Sequence, residues 1–259
     1  MGVILYATDV SFEANAVAFI PPVSENLEYW GLFGGSMEKT VRNLAPGKGP
    51  GETVGLPVLS PNFTTLTNAN HLKTKVFDSA GISIVLVARF TEDGSNSALA
   101  STGGQSNRKS GALGLTSGIQ FVRNAGGMTP TGSDDIRATR YMFSGADNAA
   151  TVSLQAGRPV LERQWAALSM VHDPVTHTVT VTNLTTGQSA SNVAIAPNLT
   201  EDVSIAQILI GSQGVGVPGY VGPTDIAAAA IYSAALNASN LVLVYDRLKK
   251  TMALRGINI

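Results

Sequence analysis

Short apolar runs rich in β-branched residues recur along this chain, broken by clusters of Gly, Pro, Asn and Asp roughly every ten residues. The clearest run is Ile82–Phe90, nearly continuous in apolar character, which suits a strand buried on both faces. Residues 3–8, 17–20, 112–116, 119–123, 141–143, 151–155, 165–172, 189–195, 206–210 and 226–232 read the same way. Ser117-Gly118 is a two-residue spacing typical of a hairpin. From Thr176 to Leu184 the pattern alternates strictly, Val179 and Val181 to one side and Thr178, Thr180 and Thr182 to the other, as a half-solvated antiparallel strand does. Thr185-Thr186-Gly187-Gln188 is the turn that follows, with Gly187 able to take positive φ. The spacing predicts an all-β sandwich.

One helix is well signalled. Asn237 can cap it, and Leu241, Val244, Tyr245, Leu248 and Met252 repeat at three- and four-residue spacing. Lys249, Lys250 and Arg255 complement its C-terminal dipole, and Gly256 is the stop. A shorter helix is expected near residues 24–32. The stretch 91–144, rich in Gly, Ser, Asn and Arg, shows few strong strands, and its turns are expected to be surface loops.

The composition narrows function by exclusion. Hydrophobic residues make up 44% of the 259, enough for a real core, while charged residues are 14%, against roughly 25% in an average chain. The net charge of -1 argues against a nucleic-acid partner. There are no cysteines, which removes disulfides, thiol nucleophiles and Cys-ligated metals. No basic start precedes the apolar residues at the N-terminus, so no signal peptide is expected, and Tyr6 stands where myristoylation needs Ser or Thr. No window reaches the roughly 18 apolar residues of a membrane span, so no membrane insertion is expected.

The last third carries a pattern. A strand opens at Trp165, and the hairpin through Thr185-Thr186-Gly187-Gln188 follows. Next come a strand ending Leu209-Ile210-Gly211 and a loop holding Gly219. The strand from Asp225 to Tyr232 then leads through Ala235-Leu236-Asn237 into the helix. This resembles the laminin-G-like, concanavalin-A-like jelly rolls, and more narrowly the versions in bacteriophage and prophage virion proteins. The resemblance covers about residues 160–256, and residues 56–90 are compatible with the first half of such a domain. It implies a two-sheet antiparallel jelly-roll sandwich with a short C-terminal helix. The domain is expected over residues 26–259, with residues 1–25 a strand segment belonging to the sandwich or an interaction arm. A virion location follows from the same resemblance, with assembly in the bacterial host cytoplasm. Its expected partners are further copies of the chain, as a trimer by analogy with tail fibres, and other virion proteins. Ser239-Asn240 departs from the Glu that many such proteins carry at the helix start.

The fold alone names no activity. A glycosidase needs two carboxylates facing one sugar. The acidic pairs here, Glu92-Asp93, Asp134-Asp135 and Glu201-Asp202, are adjacent residues beside turns and read as solvated charge. The chain is therefore expected to be non-catalytic. The alternative is a glycosidase or lyase acting on bacterial surface polysaccharide. His172 and His177 could approach across a turn, but two nitrogens make an incomplete metal site. Asp93-Gly94-Ser95-Asn96 and Asp147-Asn148 offer oxygens to calcium, the one ion left open; Asx turns account for both, and no cofactor is expected. Gly34-Gly35, Gly103-Gly104 and Gly126-Gly127 lack the Lys-Ser/Thr of a phosphate loop.

Sugar recognition calls for an exposed aromatic beside polar groups. Trp165 and Trp30 read as core. Tyr220, set among Gly219 and Pro223, is the best exposed ring, and Arg108, Arg137 and Arg140 lie in the loop-rich middle, where they could contact an acidic glycan on a bacterial surface.

Overall fold

The computed structural model describes residues 19–91, 95–102, 118–125, 135–144, 150–159, 163–194, 199–201, 203–214 and 219–259. The chain runs β1 (Leu27–Leu32), α1 (Met37–Val41), β2 (Glu52–Val54), β3 (Val58–Leu59), β4 (Thr64–Leu66), β5 (His71–Phe77), β6 (Ile82–Phe90), β7 (Ser97–Ser101) and β8 (Ile119–Asn124). It continues through β9 (Asp135–Ser144), β10 (Ala150–Pro159), β11 (Ala166–Asp173), β12 (Thr178–Asn183), β13 (Gln188–Val193), β14 (Leu199–Glu201), β15 (Gln207–Ile210), β16 (Thr224–Tyr232) and α2 (Ala238–Leu254). The strands form two antiparallel sheets, a jelly-roll sandwich closed by the C-terminal helix.

The first sheet runs β13-β12-β11-β6-β16-β4-β3, with β1 also on β16. The second runs β10-β9-β8-β7-β15-β5-β2, with β14 on β9. Ile84, Leu86, Phe90, Leu168, Met170, Val179, Val181 and Ile226 meet Leu72, Phe121, Ile136, Met142, Ile208 and Ile210 in the core between the sheets. A second apolar layer lies on the outer face of the first sheet, where Val85, Val87, Ala228 and Ala230 contribute to one cluster with Trp30, Val244, Leu248 and Met252. The central strands β6 and β16 are thus covered on both faces, which is why their sequences are apolar without alternation. Ala228 and Ala230 of β16 and Val244, Leu248 and Met252 of α2 belong to this one layer.

Most of the expected elements stand. Val179 and Val181 of β12 are buried while the threonines between them are half-exposed, and Gly187 takes φ 74° in the turn. The Asn237 side chain accepts from the Asn240 N–H at 2.9 Å, Val244, Leu248 and Met252 are buried, and Gly256 ends α2 with φ 72°. The expected helix near 24–32 is instead strand β1, paired with β16 from Leu27↔Tyr232 to Leu32↔Ala228. Tyr29 and Trp30 favour a pleated surface, and the open edge of β16 supplies the ladder that local propensity does not foresee. A five-residue helix, α1, follows instead, capped by Ser36, whose hydroxyl accepts from the Lys39 N–H at 3.2 Å. The stretch 91–144 holds three strands, β7, β8 and β9. The expected strands at 3–8 and 112–116 lie outside the described residues. Of the N-terminal segment, Phe19 packs on Trp30 with ring centroids 4.9 Å apart, and Val23 offers its carbonyl to the Tyr232 hydroxyl.

Candidate functional site

Strand alternation on β8 and β9 decides which side chains can reach a ligand. Ile136, Ala138 and Met142 point into the inter-sheet core, so Asp135, Arg137, Thr139 and Tyr141 stand on the outer face. On β8, Phe121 is a core residue, which puts Val122 and Asn124 outside. The register sets Val122 opposite Arg137 and Asn124 opposite Asp135, so Asn124 and Arg137 are diagonal neighbours.

That diagonal is a contact. The Asn124 amide oxygen accepts from Arg137 Nε and Nη2, both at 2.9 Å, once the amide is turned so that its oxygen faces these donors. The other side of the amide meets the Tyr220 hydroxyl at 3.4 Å. In this orientation the Asn124 NH₂ donates to the phenol oxygen. Tyr141 stands on the same face four residues along β9 from Arg137; burial pushes its phenol up to about 12, and the electrostatics of Tyr220 add to the shift. Both Tyr141 and Tyr220 are half-buried, at a partly wetted surface.

The Tyr220 loop is fixed from below. The Gly222 N–H donates to the Asn96 carbonyl at 2.9 Å, and a Cβ at Gly222 would stand 2.6 Å from Ser97 Oγ. Only glycine allows this approach. Asn96 in turn accepts from the Ala125 N–H at 2.7 Å, just past β8. One oxygen of the candidate calcium loop at 93–96 is therefore a structural acceptor; Asp93, Gly94 and the Asp147-Asn148 turn lie outside the described residues.

Of the four sugar-contact residues expected from sequence, the structure brings Tyr220 and Arg137 together through Asn124. Arg108 lies outside the described residues. Arg140 is a correction: it is not a surface residue. It shares parity with Ile136, Ala138 and Met142, faces the core at 0% exposure, and pairs with Asp78 at 2.6 Å. Asp78 also accepts from the Ser204 and Ser79 N–H groups at 2.8 and 2.9 Å. Burial nonetheless holds its carboxyl above the ordinary aspartate range. Asp135 is likewise not solvated, being buried at the start of β9. Asn124 and Tyr141 are the members of the site that sequence reasoning missed. Parity along 135–142 was the available signal: Ile136, Ala138 and Met142 mark one face, and Arg137, Thr139 and Tyr141 the other.

A second polar cluster lies on the outer face of the first sheet. Arg89 donates to Asp225 from Nε at 3.0 Å and Nη2 at 2.6 Å, Thr65 donates to the same carboxylate at 2.6 Å, and the guanidinium stacks on Trp165 and Phe63. Trp165 is half-buried in this stack, at the edge of the apolar layer, while Trp30 is fully in it. The ion pair and ring contacts make the cluster a staple between β4, β6 and β16. His172 is buried, its Nδ1 donating to the Ala80 carbonyl at 2.7 Å, and His177 sits in the turn with φ 47°. Among the described residues no group of three or more His, Asp or Glu could hold a metal ion.

No family model matches the chain, and no curated protein sequence matches it. Solved structures do. The receptor-binding domain of botulinum neurotoxin D superposes with a TM-score of 0.56 at 10% identity, covering 87% of this chain and 54% of that one. The same serotype's ligand-binding domain in complex with N-acetylneuraminic acid gives 0.55 at 10% identity, over 87% and 52%. Trypanosoma rangeli sialidase in complex with sialic acid gives 0.54 at 12% identity, over 88% and 33%. The chain thus spans about half the length of the neurotoxin domains and a third of the sialidase. At these identities the likeness is one of fold alone.

Proposed function

We propose that this chain is a non-catalytic, virion-associated module of the phage tail or fibre kind, which self-associates and recognises a glycan on the bacterial surface through the outer face of β8 and β9. The observation that carries the glycan reading is the Tyr220–Asn124–Arg137 contact chain with Tyr141 beside it. It gathers aromatic rings, hydroxyl donors, an amide and a cation at one place on a rigid sheet. A sugar ring needs an apolar face to stack on and directional polar groups for its hydroxyls, and these residues supply both. That two solved structures of similar fold hold sialic acid supports the same reading. The virion location and the expected trimer rest on the resemblance of residues 160–256.

The first test is binding of the labelled chain to a panel of bacterial surface glycans. Saturable binding to one glycan, lost in Tyr220→Ala, is the expected result. Absence of binding across the panel shifts the role to a purely structural one. Light scattering tests self-association, a strict monomer counting against the fibre role. Release of new reducing ends from any bound polysaccharide would replace the binding module with an enzyme.

A further inference from the structure

The charge state of Arg137 narrows the ligand of that same site, and the inference rests on the glycan reading above. Four strand arginines have described side chains. Arg140 is paired with Asp78, and Arg89 with Asp225. Arg123 is buried over the Phe90 ring, 5.1 Å from its centroid, and has a further partner. Arg137 differs from all three. It is half-buried on the outer face, and among the described residues no carboxylate pairs with it. Asp135 stands two residues away on the same face, but it has a partner of its own and makes no ion pair with Arg137.

The fixed partner of Arg137 is neutral. Asn124 takes the Nε and Nη2 protons on a single oxygen, which sets the guanidinium plane without cancelling its charge. The edge formed by Nη1 and the second proton of Nη2 remains. Those two N–H groups are parallel, in the spacing that matches the two oxygens of a carboxylate. The donors around it agree. Asn124 donates to the Tyr220 oxygen, so the phenol's own proton is directed elsewhere. The Tyr141 phenol, raised to about 12, stays a donor at neutral pH. A cation on a preformed plane with hydroxyl donors beside it is complementary to an anion rather than to a neutral sugar.

We propose that the cluster binds the carboxylate of an acidic sugar, Arg137 holding it through the Nη1–Nη2 edge and Tyr220 and Tyr141 donating to the acid or its adjacent hydroxyls. A terminal sialic-type sugar and a uronate within a polysaccharide share this chemistry. Calorimetric titration of the full chain with matched pairs separates them: sialyllactose against lactose and against sialyllactose methyl ester, and a uronate tetrasaccharide against its carboxyl-reduced form. The acid of one pair is expected to bind about 10-fold or more tighter than its neutral partner, the gain of a charge-assisted pair. The arm that shows the gain names the source. Arg137→Lys keeps the charge but loses the fork and is expected to forfeit the same factor, with an unchanged thermal transition. Equal binding of acid, ester and neutral sugars overturns the carboxylate inference and leaves the glycan reading standing. Failure of every sugar to bind the folded chain overturns both. The ester comparison changes the ligand alone, so the outcome does not depend on any variant folding.

Discussion

Arg140→Met breaks an ion pair whose two side chains both have 0% exposure. The loss strands the Asp78 carboxylate in the core with only the backbone N–H groups of Ser79 and Ser204 to hold it. Breaking one side of such a pair costs about 3–5 kcal/mol, because the remaining charge is uncompensated. At ~2–4 °C per kcal/mol for a chain of this size, the transition falls by roughly 6–20 °C. The guanidinium is itself poorly satisfied: Nε and Nη2 of Arg140 have no hydrogen-bond partner. Each such buried group carries a desolvation penalty of about 1–3 kcal/mol. Arg140→Met combined with Asp78→Asn removes both the stranded charge and the orphaned donors. The double variant is therefore expected to recover to within about 1 kcal/mol of the parent, in a strongly non-additive cycle. Urea unfolding followed by the fluorescence of Trp30 and Trp165 measures all four corners. A single variant costing under 1 kcal/mol, or a double variant as unstable as the sum of the singles, would refute the reasoning.

Further outcomes follow from the same contacts. Arg140→Met, assayed below its transition, should keep glycan affinity within about twofold while Arg137→Lys loses it, since the two arginines face opposite sides of β9. Binding should be flat from pH 6 to 9, because the Tyr141 phenol pushed up to about 12 does not ionise there; a fall centred below pH 9 would remove Tyr141 as a donor. His71 is buried with Nδ1 at 3.0 Å from the Asn68 carbonyl, and burial holds its pKa below the ordinary value. The unfolded chain then binds the proton more readily, so stability present above the unfolded pKa of about 6.5 is lost as pH falls through it, by at most about 1.4 kcal/mol per pH unit. His71→Gln should flatten that slope in urea titrations between pH 7.5 and 5. Asn237→Ala removes the α2 cap and should cost about 1 kcal/mol with no change in glycan binding.

What the sequence made legible was whatever a local pattern decides. The run Ile82–Phe90 announced a strand covered on both faces, and the three- and four-residue spacing after Asn237 announced α2, because periodicity records burial directly. β1 was misread because its pairing partner, β16, lies about 200 residues away. The Asp78–Arg140 pair was invisible for the same reason: neither residue's neighbours in sequence show that they meet. Tyr220 was legible as an aromatic in a glycine-rich loop. The contact that makes it part of a site depends on Asn124, on another strand, and on the glycine at 222 that lets the loop close on Ser97.

The two sheets differ in how their outer faces are used, and the difference bears on the proposed site. The first sheet uses both faces for packing, one against its partner and one against α2, so its outer arginine, Arg89, is locked to Asp225 between two rings. Its charge is neutralised where it stands. The outer face of the second sheet is instead mixed: Gln120, the buried Val122 and Asn124 on β8 stand beside Arg137, Thr139 and Tyr141 on β9. With Val122 the one apolar side chain among these six, the face carries little that would drive a helix onto it. Half-burying a cation there against a neutral amide carries a desolvation cost that pairing with a carboxylate would offset. A bound carboxylate would supply that charge, so on the proposed reading the acidic sugar meets the protein at the edge of Arg137 that Asn124 does not occupy.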